Sequence, residues 1–263
     1  MQRTRSFPRR KIGIHLARAV ALAVTASSAL PAGAADWSAT NVQLLYGTQY
    51  ADNFGIDDKG KAIFTFEHAD GWKYGDNFFF LDVSNPGATG TAEYAEFSPR
   101  FSVGKIIGKD LSFGVVKDVL IAGTWEMGGG VRAYLAGIGF ALGLPKFAFA
   151  DLNIYARQSE RDFAPVDTDL GWQVTIDWLL PFSLGPVKMA FEGFADYAGG
   201  ESGGSVPKED NLIAAPRLLM DVGAFFGAPG KVQAGIEYQF WRNKFGIDGV
   251  NEDVPQVMVK WIL

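Results

Sequence analysis

The chain has 263 residues, with 24 Lys and Arg against 29 Asp and Glu, and no Cys. Six of the basic residues (Arg3, Arg5, Arg9, Arg10, Lys11 and Arg18) precede residue 36, where no acidic residue occurs, so the remainder sets 18 basic residues against all 29 acidic ones. A surface that acidic repels phosphate backbones, and no basic run with interleaved aromatics follows, which excludes nucleic acid as a partner. The lack of Cys excludes thiolate catalysis, Cys-based zinc sites and disulfides, and suits export through an oxidising compartment.

The first element is an export signal. A basic start leads into an apolar centre from Ala19 to Leu30, then Pro31 and small residues, with cleavage expected after Ala34 or one residue on. A membrane anchor would need about 20 apolar residues, and this centre is ended well short of that. The expected organisation is therefore a signal peptide over 1–34 and a mature domain over 35–263.

The mature region holds no apolar window of about 18 residues, so a helical membrane protein is excluded. Instead, period-two alternation recurs in stretches of about ten residues, with Gly, Pro, Asn and Asp between them, which is the signature of strands joined by turns. In chain order the weaker stretches are 42–50, 62–69 and 74–83. From Ala95 to Val103, Ala95, Phe97, Pro99, Phe101 and Val103 oppose Glu96, Ser98, Arg100 and Ser102. Further stretches follow at 118–126, 131–141 and 147–157, and then Trp172, Val174, Ile176, Trp178 and Leu180 oppose Gln173, Thr175, Asp177 and Leu179. After 187–197 and 217–226 come a stretch with Val232, Ala234, Ile236, Tyr238 and Phe240 on one face and a last one with Val257, Val259, Trp261 and Leu263. That makes twelve expected strands.

Alternation alone also fits a soluble sandwich, whose apolar face points inward. The aromatics decide for the membrane: Trp125, Trp172, Trp178, Tyr197, Tyr238, Phe240 and Trp261 lie on apolar faces near the expected strand ends, as interfacial girdles require. Size adds to this, because about eight strands already enclose all the space that side chains can fill. Twelve closed around an apolar interior would leave a void; an outward apolar face with a wet lumen removes it, as would a flattened two-sheet sandwich. The last strand carries alternate apolar residues back from Leu263, with Trp261 as its nearest aromatic. The expected fold is all-β, a transmembrane antiparallel barrel of about twelve strands. An even count places both termini at one end, and the loop Gly199 to Asp210, expected to be mobile, at the other.

Three ordered motifs carry a family resemblance: Gly71-Trp72-Lys73-Tyr74-Gly75-Asp76-Asn77-Phe78-Phe79-Phe80, Glu96-Phe97-Ser98-Pro99-Arg100-Phe101-Ser102, and Asp110-Leu111-Ser112-Phe113-Gly114. With them the chain resembles the Tsx-type nucleoside channels of the Gram-negative outer membrane, and more closely their OmpK-type branch. The similarity is dense between residues 41 and 128. The resemblance implies a monomeric twelve-stranded barrel in outer-membrane lipid with a narrow lumen that passes nucleosides. It also implies a site lined by aromatics and ionisable groups, with Phe54-Gly55 standing where the family has a Phe-Gly pair. Because the family includes phage receptors, bacteriophage is a second class of partner, and a receptor or structural barrel without specific transport is the alternative reading.

The polar faces supply the expected lumen: Asp76, Phe78, Phe80, Glu96, Arg100, Glu126, Asp151, Asn153, Tyr155, Arg157, Asp177, Lys188, Glu192, Arg217, Asp221, Glu237 and Lys260. A nucleoside offers a flat base and ribose hydroxyls. Phe78, Phe80 and Tyr155 are expected to stack on the base, and Glu96 with Arg100 to pair with the polar groups. Against this stands the reading that the charges pair across the lumen and hold the barrel's shape. No cofactor or metal is expected, and no enzymatic step: the mature chain's one His, His68, has no nucleophile pattern beside it. Gly128-Gly129-Gly130 and Gly199-Gly200 lack the following Lys of a phosphate loop and read as turns.

Overall fold

The computed structural model describes residues 35–52, 55–57, 60–87 and 90–263, so the expected signal segment and Phe54 lie outside the described residues. The strands in chain order are β1 (Trp37–Gly47), β2 (Tyr50–Asp52), β3 (Gly55–Asp57), β4 (Lys61–Trp72), β5 (Gly75–Ser84), β6 (Ala92–Ser102), β7 (Val116–Gly128) and β8 (Val131–Leu142). There follow β9 (Phe149–Arg161), β10 (Gly171–Leu184), β11 (Val187–Ala198), β12 (Asn211–Ala214), β13 (Arg217–Asp221), β14 (Val232–Arg242) and β15 (Glu252–Ile262). Each barrel strand pairs antiparallel with its sequence neighbours, and β1 closes the ring by pairing with both β4 and β15. The short β2 and β3 form a separate hairpin in the first loop, while β12 and β13 are two halves of one strand position, each pairing with β11 and β14. The result is a closed antiparallel barrel of twelve strand positions.

All twelve expected stretches contain strands; several bounds move by up to about four residues, and the largest shifts are in the first and tenth. The first begins at Trp37 instead of 42. The tenth, expected over 217–226, starts at Asn211, breaks at Ala215-Pro216 and ends at Asp221, after which Gly223–Phe226 form a 3-10 turn. Pro216 has no N–H to give the ladder, which accounts for the break. The two-residue hairpin between β7 and β8 uses Gly129 and Gly130 at φ 57° and 74°, the left-handed pair such turns require.

Side chains sort by parity. Gln43 is 1% exposed while its neighbour Leu44 is 62% exposed, and in β15 buried Glu252, Val254, Gln256, Met258 and Lys260 alternate with exposed Val257, Val259 and Trp261. Polar groups lie inside and apolar ones outside, the reverse of a water-soluble protein and the pattern of a barrel in lipid. The outer face carries aromatics in pairs: Trp125 stacks on Tyr134 with centroids 6.4 Å apart, and Trp172 meets Tyr197 at 5.4 Å. Tyr197 and Tyr238 donate their hydroxyls to loop-side carboxylates, Asp210 at 2.8 Å and Asp253 at 3.1 Å, as girdle residues with an apolar body and a wet tip do. One girdle assignment is corrected: Trp178 stands in the middle of β10, packed on Phe191 at 5.7 Å, and not near a strand end.

The start of β1 and the end of β15 lie at one end of the barrel, together with the β4–β5, β6–β7, β8–β9, β10–β11 and β13–β14 connections. At the opposite end, the loop from Gly199 to Asp210 is not loose. Its Glu201 is buried and accepts hydrogen bonds from Ser159 (2.8 Å), Thr168 (2.6 Å) and Lys208 (2.9 Å), and Glu201 and Lys208 form an antiparallel bridge.

Candidate lumen site

Pairing register assigns every one of the seventeen expected lumen residues to the inner face. Three arginines organise it. Arg100 on β6 donates to Asp76 on β5 through Nε (2.7 Å) and Nη2 (3.1 Å), and its Nη2 reaches Asp151 on β9 at 2.9 Å. Arg157 on β9 grips Glu126 on β7 in a bidentate pair at 2.5 and 2.6 Å and also donates to Gln173 at 2.7 Å. Its Nε lies 3.5 Å from the loop carboxylate of Glu201. Arg217 on β13 donates to Glu237 on β14 at 2.5 Å and to Glu67 on β4 at 2.9 Å, with Glu192 at 3.7 Å.

Asp76–Arg100 and Arg217–Glu237 join neighbouring strands, whereas the pairs that skip strands are chords. Between β13 and β4 the ring passes through β14, β15 and β1, so the Arg217–Glu67 bond crosses the interior. Lys260 on β15 reaches Glu192 on β11 at 2.6 Å in the same way. Amides complete the shell: Asn41 donates to Glu67 (3.1 Å) and Gln256 to Glu237 (2.8 Å). Such planar, bidentate guanidinium pairs hold their geometry better than point charges, and each fixes part of the lumen's cross-section.

On the wall of β5 and β6 the inward residues form an aromatic column. Phe78 and Phe80 have ring centroids 6.0 Å apart, Phe80 and Tyr94 5.8 Å, and the Tyr94 hydroxyl donates to Glu96 at 2.6 Å. Although it faces inward, Phe78 is 36% exposed, so its ring opens onto free lumen space. In register, Phe80 stands opposite Glu96, and Asp76 opposite Arg100. As third and ninth of twelve positions, β5 and β11 face each other, which sets this column across from Phe194 and Asp196.

The expected site residues thus divide. Phe78, Phe80, Glu96 and Arg100 share one contiguous patch, although Arg100 is engaged by Asp76 and Asp151 and not by Glu96. Tyr155 is inward but 5% exposed, packed among Ala122, Ala133 and Leu135 against the wall. Gly55 belongs to β3 in the first loop, and that hairpin is tied to the barrel by Lys244, whose Nζ donates to Ala51 O (2.9 Å) and Glu252 (2.5 Å). His68 faces outward with its Nδ1 2.7 Å from Thr40 Oγ1. Sequence reasoning missed Glu67, Asp82, Tyr94 and Asp196, all inward; the first, second and last share the parity of polar residues in stretches already expected, and extending the fourth stretch back by one residue finds Tyr94. Inward carboxyl groups outnumber inward cations, so the lumen is acidic.

The comparisons agree with this geometry. The family described as "Nucleoside-specific channel-forming protein, Tsx" matches residues 33–205. The outer membrane protein OmpK of Vibrio parahaemolyticus is 26% identical over 189 residues, 67% of each chain. The nucleoside-specific channel-forming protein Tsx of Salmonella typhimurium is 28% identical over 142 residues, so the match spans 49% of either chain. Among solved structures the NanC porin aligns with a TM-score of 0.50 at 10% identity, over 85% of this chain and all of that one, a likeness of fold alone. With an inside-out twelve-stranded barrel, a polar lumen crossed by ion pairs and a family match over most of its length, the chain belongs to the Tsx family of nucleoside-specific channel-forming proteins and is a passive channel of the Gram-negative outer membrane.

Proposed function

We propose that the solutes this channel passes are nucleosides or polar molecules of similar size, moving through a single barrel as a monomer, and that residues 1–34 are the export signal removed on the way. The observation that carries the reading is the open ring of Phe78, continued by Phe80 and Tyr94 and flanked by Glu96 and the Asp76–Arg100–Asp151 cluster. A base stacks on aromatic rings whatever its identity, and each such contact contributes about 1–3 kcal/mol. Ribose hydroxyls donate to carboxylates such as Glu96, and the fixed guanidinium of Arg100 keeps its acceptors Asp76 and Asp151 in place. The Salmonella relative's description as nucleoside-specific supports the same choice.

Liposome swelling tests it. Vesicles carrying the barrel should admit adenosine and uridine faster than a disaccharide of comparable mass. Equal rates for the three solutes would leave a general pore and defeat the nucleoside reading.

A further inference from the structure

Outside the lumen, exposed cations are segregated by end, while exposed carboxylates stand at both, Asp36 and Asp110 among them at the end where β1 begins. Among the described residues every exposed Lys or Arg is a lysine, and all of these stand at the end where β1 begins and β15 ends. Lys73 occupies the β4–β5 turn, Lys105 and Lys109 the β6–β7 connection, and Lys231 the residue before β14. At the opposite end the exposed charges are carboxylates such as Asp167, Asp169, Glu209 and Asp248, and the cations there are half-buried or buried, with Lys208 on Glu201, Arg242 on Asp253 and Lys244 on Glu252.

The lysines have apolar companions. Lys105 and Lys109 flank Ile106 and Ile107, both more than half exposed. On the outer side of the barrel, Phe226, Ala228, Val232, Trp261 and Leu263 line an apolar groove, and Lys231 stands on its wall. A soluble anion would neutralise the lysine and leave the groove uncovered. A neutral lipid tail would fill the groove and leave the charge unpartnered. Both features are met by one molecule, an amphiphile with an anionic head.

We propose that this rim seats an anionic phospholipid of the periplasmic leaflet, with an acyl chain in the Phe226–Trp261–Leu263 groove and its phosphate at Lys231, and that Lys105 and Lys109 beside Ile106 and Ile107 extend the same preference around the rim. The seat orients the barrel as well, because lysine-rich turns favour the phospholipid leaflet and acidic loops do not.

The test is native mass spectrometry of the folded barrel from micelles containing equimolar phosphatidylglycerol and phosphatidylcholine. Retained phosphatidylglycerol should exceed phosphatidylcholine several-fold, as a few lysines near an anionic surface provide. The preference should shrink at high salt, where surface charges are screened. Lys105→Gln with Lys109→Gln and Lys231→Gln should abolish it while heat-modifiable gel migration reports an intact barrel. Should that variant not fold, the salt series on the unmodified protein still decides. Equal retention of the two lipids, a preference indifferent to salt, or a folded variant that keeps the preference would each overturn the proposal.

Discussion

Replacing Arg217 with Met tests whether the crossing ion pairs shape the pore. The side chain sits among Glu67, Glu192 and Glu237, whose side chains are all about as buried as its own. In the variant Glu192 keeps Lys260, whereas Glu67 retains only the amide of Asn41 and Glu237 only that of Gln256. Removing one partner of a buried pair costs about 3–5 kcal/mol, and we expect a loss of that size in urea unfolding from phospholipid vesicles. Adding Glu67→Gln should recover roughly 1–2 kcal/mol, since a neutral amide no longer needs the lost cation. Conductance should move the other way: without the Arg217–Glu67 chord the lumen widens, so single-channel current should rise in the destabilised variant. A variant within about 1 kcal/mol of the parent, with unchanged conductance, would refute the view that these pairs constrict the lumen.

The patch on β5 and β6 yields further expectations. Phe80→Ala should weaken nucleoside block of ion current by about 1–3 kcal/mol, read from the block constant in planar bilayers; an unchanged constant would remove Phe80 from the site. Arg100→Ala frees Asp76 and Asp151, so the reversal potential in a salt gradient should shift toward cation preference in a barrel that still migrates as folded. In the loop outside the membrane, burial pushes the Glu201 carboxyl up, but Lys208 and the hydrogen bonds from Thr168, Lys208 and Ser159 outweigh it and hold it below its ordinary value. A depressed carboxyl stabilises above its unfolded value of 4.5 and loses that contribution as pH falls through the folded one, so protease cleavage within 199–210 should stay constant down to that range and accelerate below it. A tag in this loop should bind antibody on intact cells, and detection only after permeabilisation would contradict the twelve-position count.

Much of this was legible in the residues. Strict alternation in the last strand, with Val257, Val259 and Trp261 outward and Gln256, Met258 and Lys260 inward, is fixed by the pleat and needs no tertiary information. The same parity placed Phe80 and Glu96 on one wall. What period two does not encode is which charges meet across the ring: Glu67 and Arg217 lie 150 residues apart and are joined only once the barrel closes. Tyr155 illustrates a second limit, because an inward residue can be covered by its neighbours on β7 and β8 instead of facing the lumen. The loop Gly199 to Asp210 reads as mobile from its Gly and Ser content, and its anchoring depends on Glu201 finding partners on β9 and in the preceding β9–β10 loop. The break in the tenth strand had a visible cause in Pro216, whereas the extra residues Asn211–Ala214 before it are too few to show a period.

The most direct test of the channel itself is single-channel recording of the folded, unmodified barrel in a planar bilayer, first in salt alone and then with adenosine added. The lumen described above predicts small, discrete current steps that pass without an energy source and fall as adenosine rises, because the base occupies the column at Phe78 and Phe80. A heat-modifiable, folded barrel that gives no current steps would contradict the account.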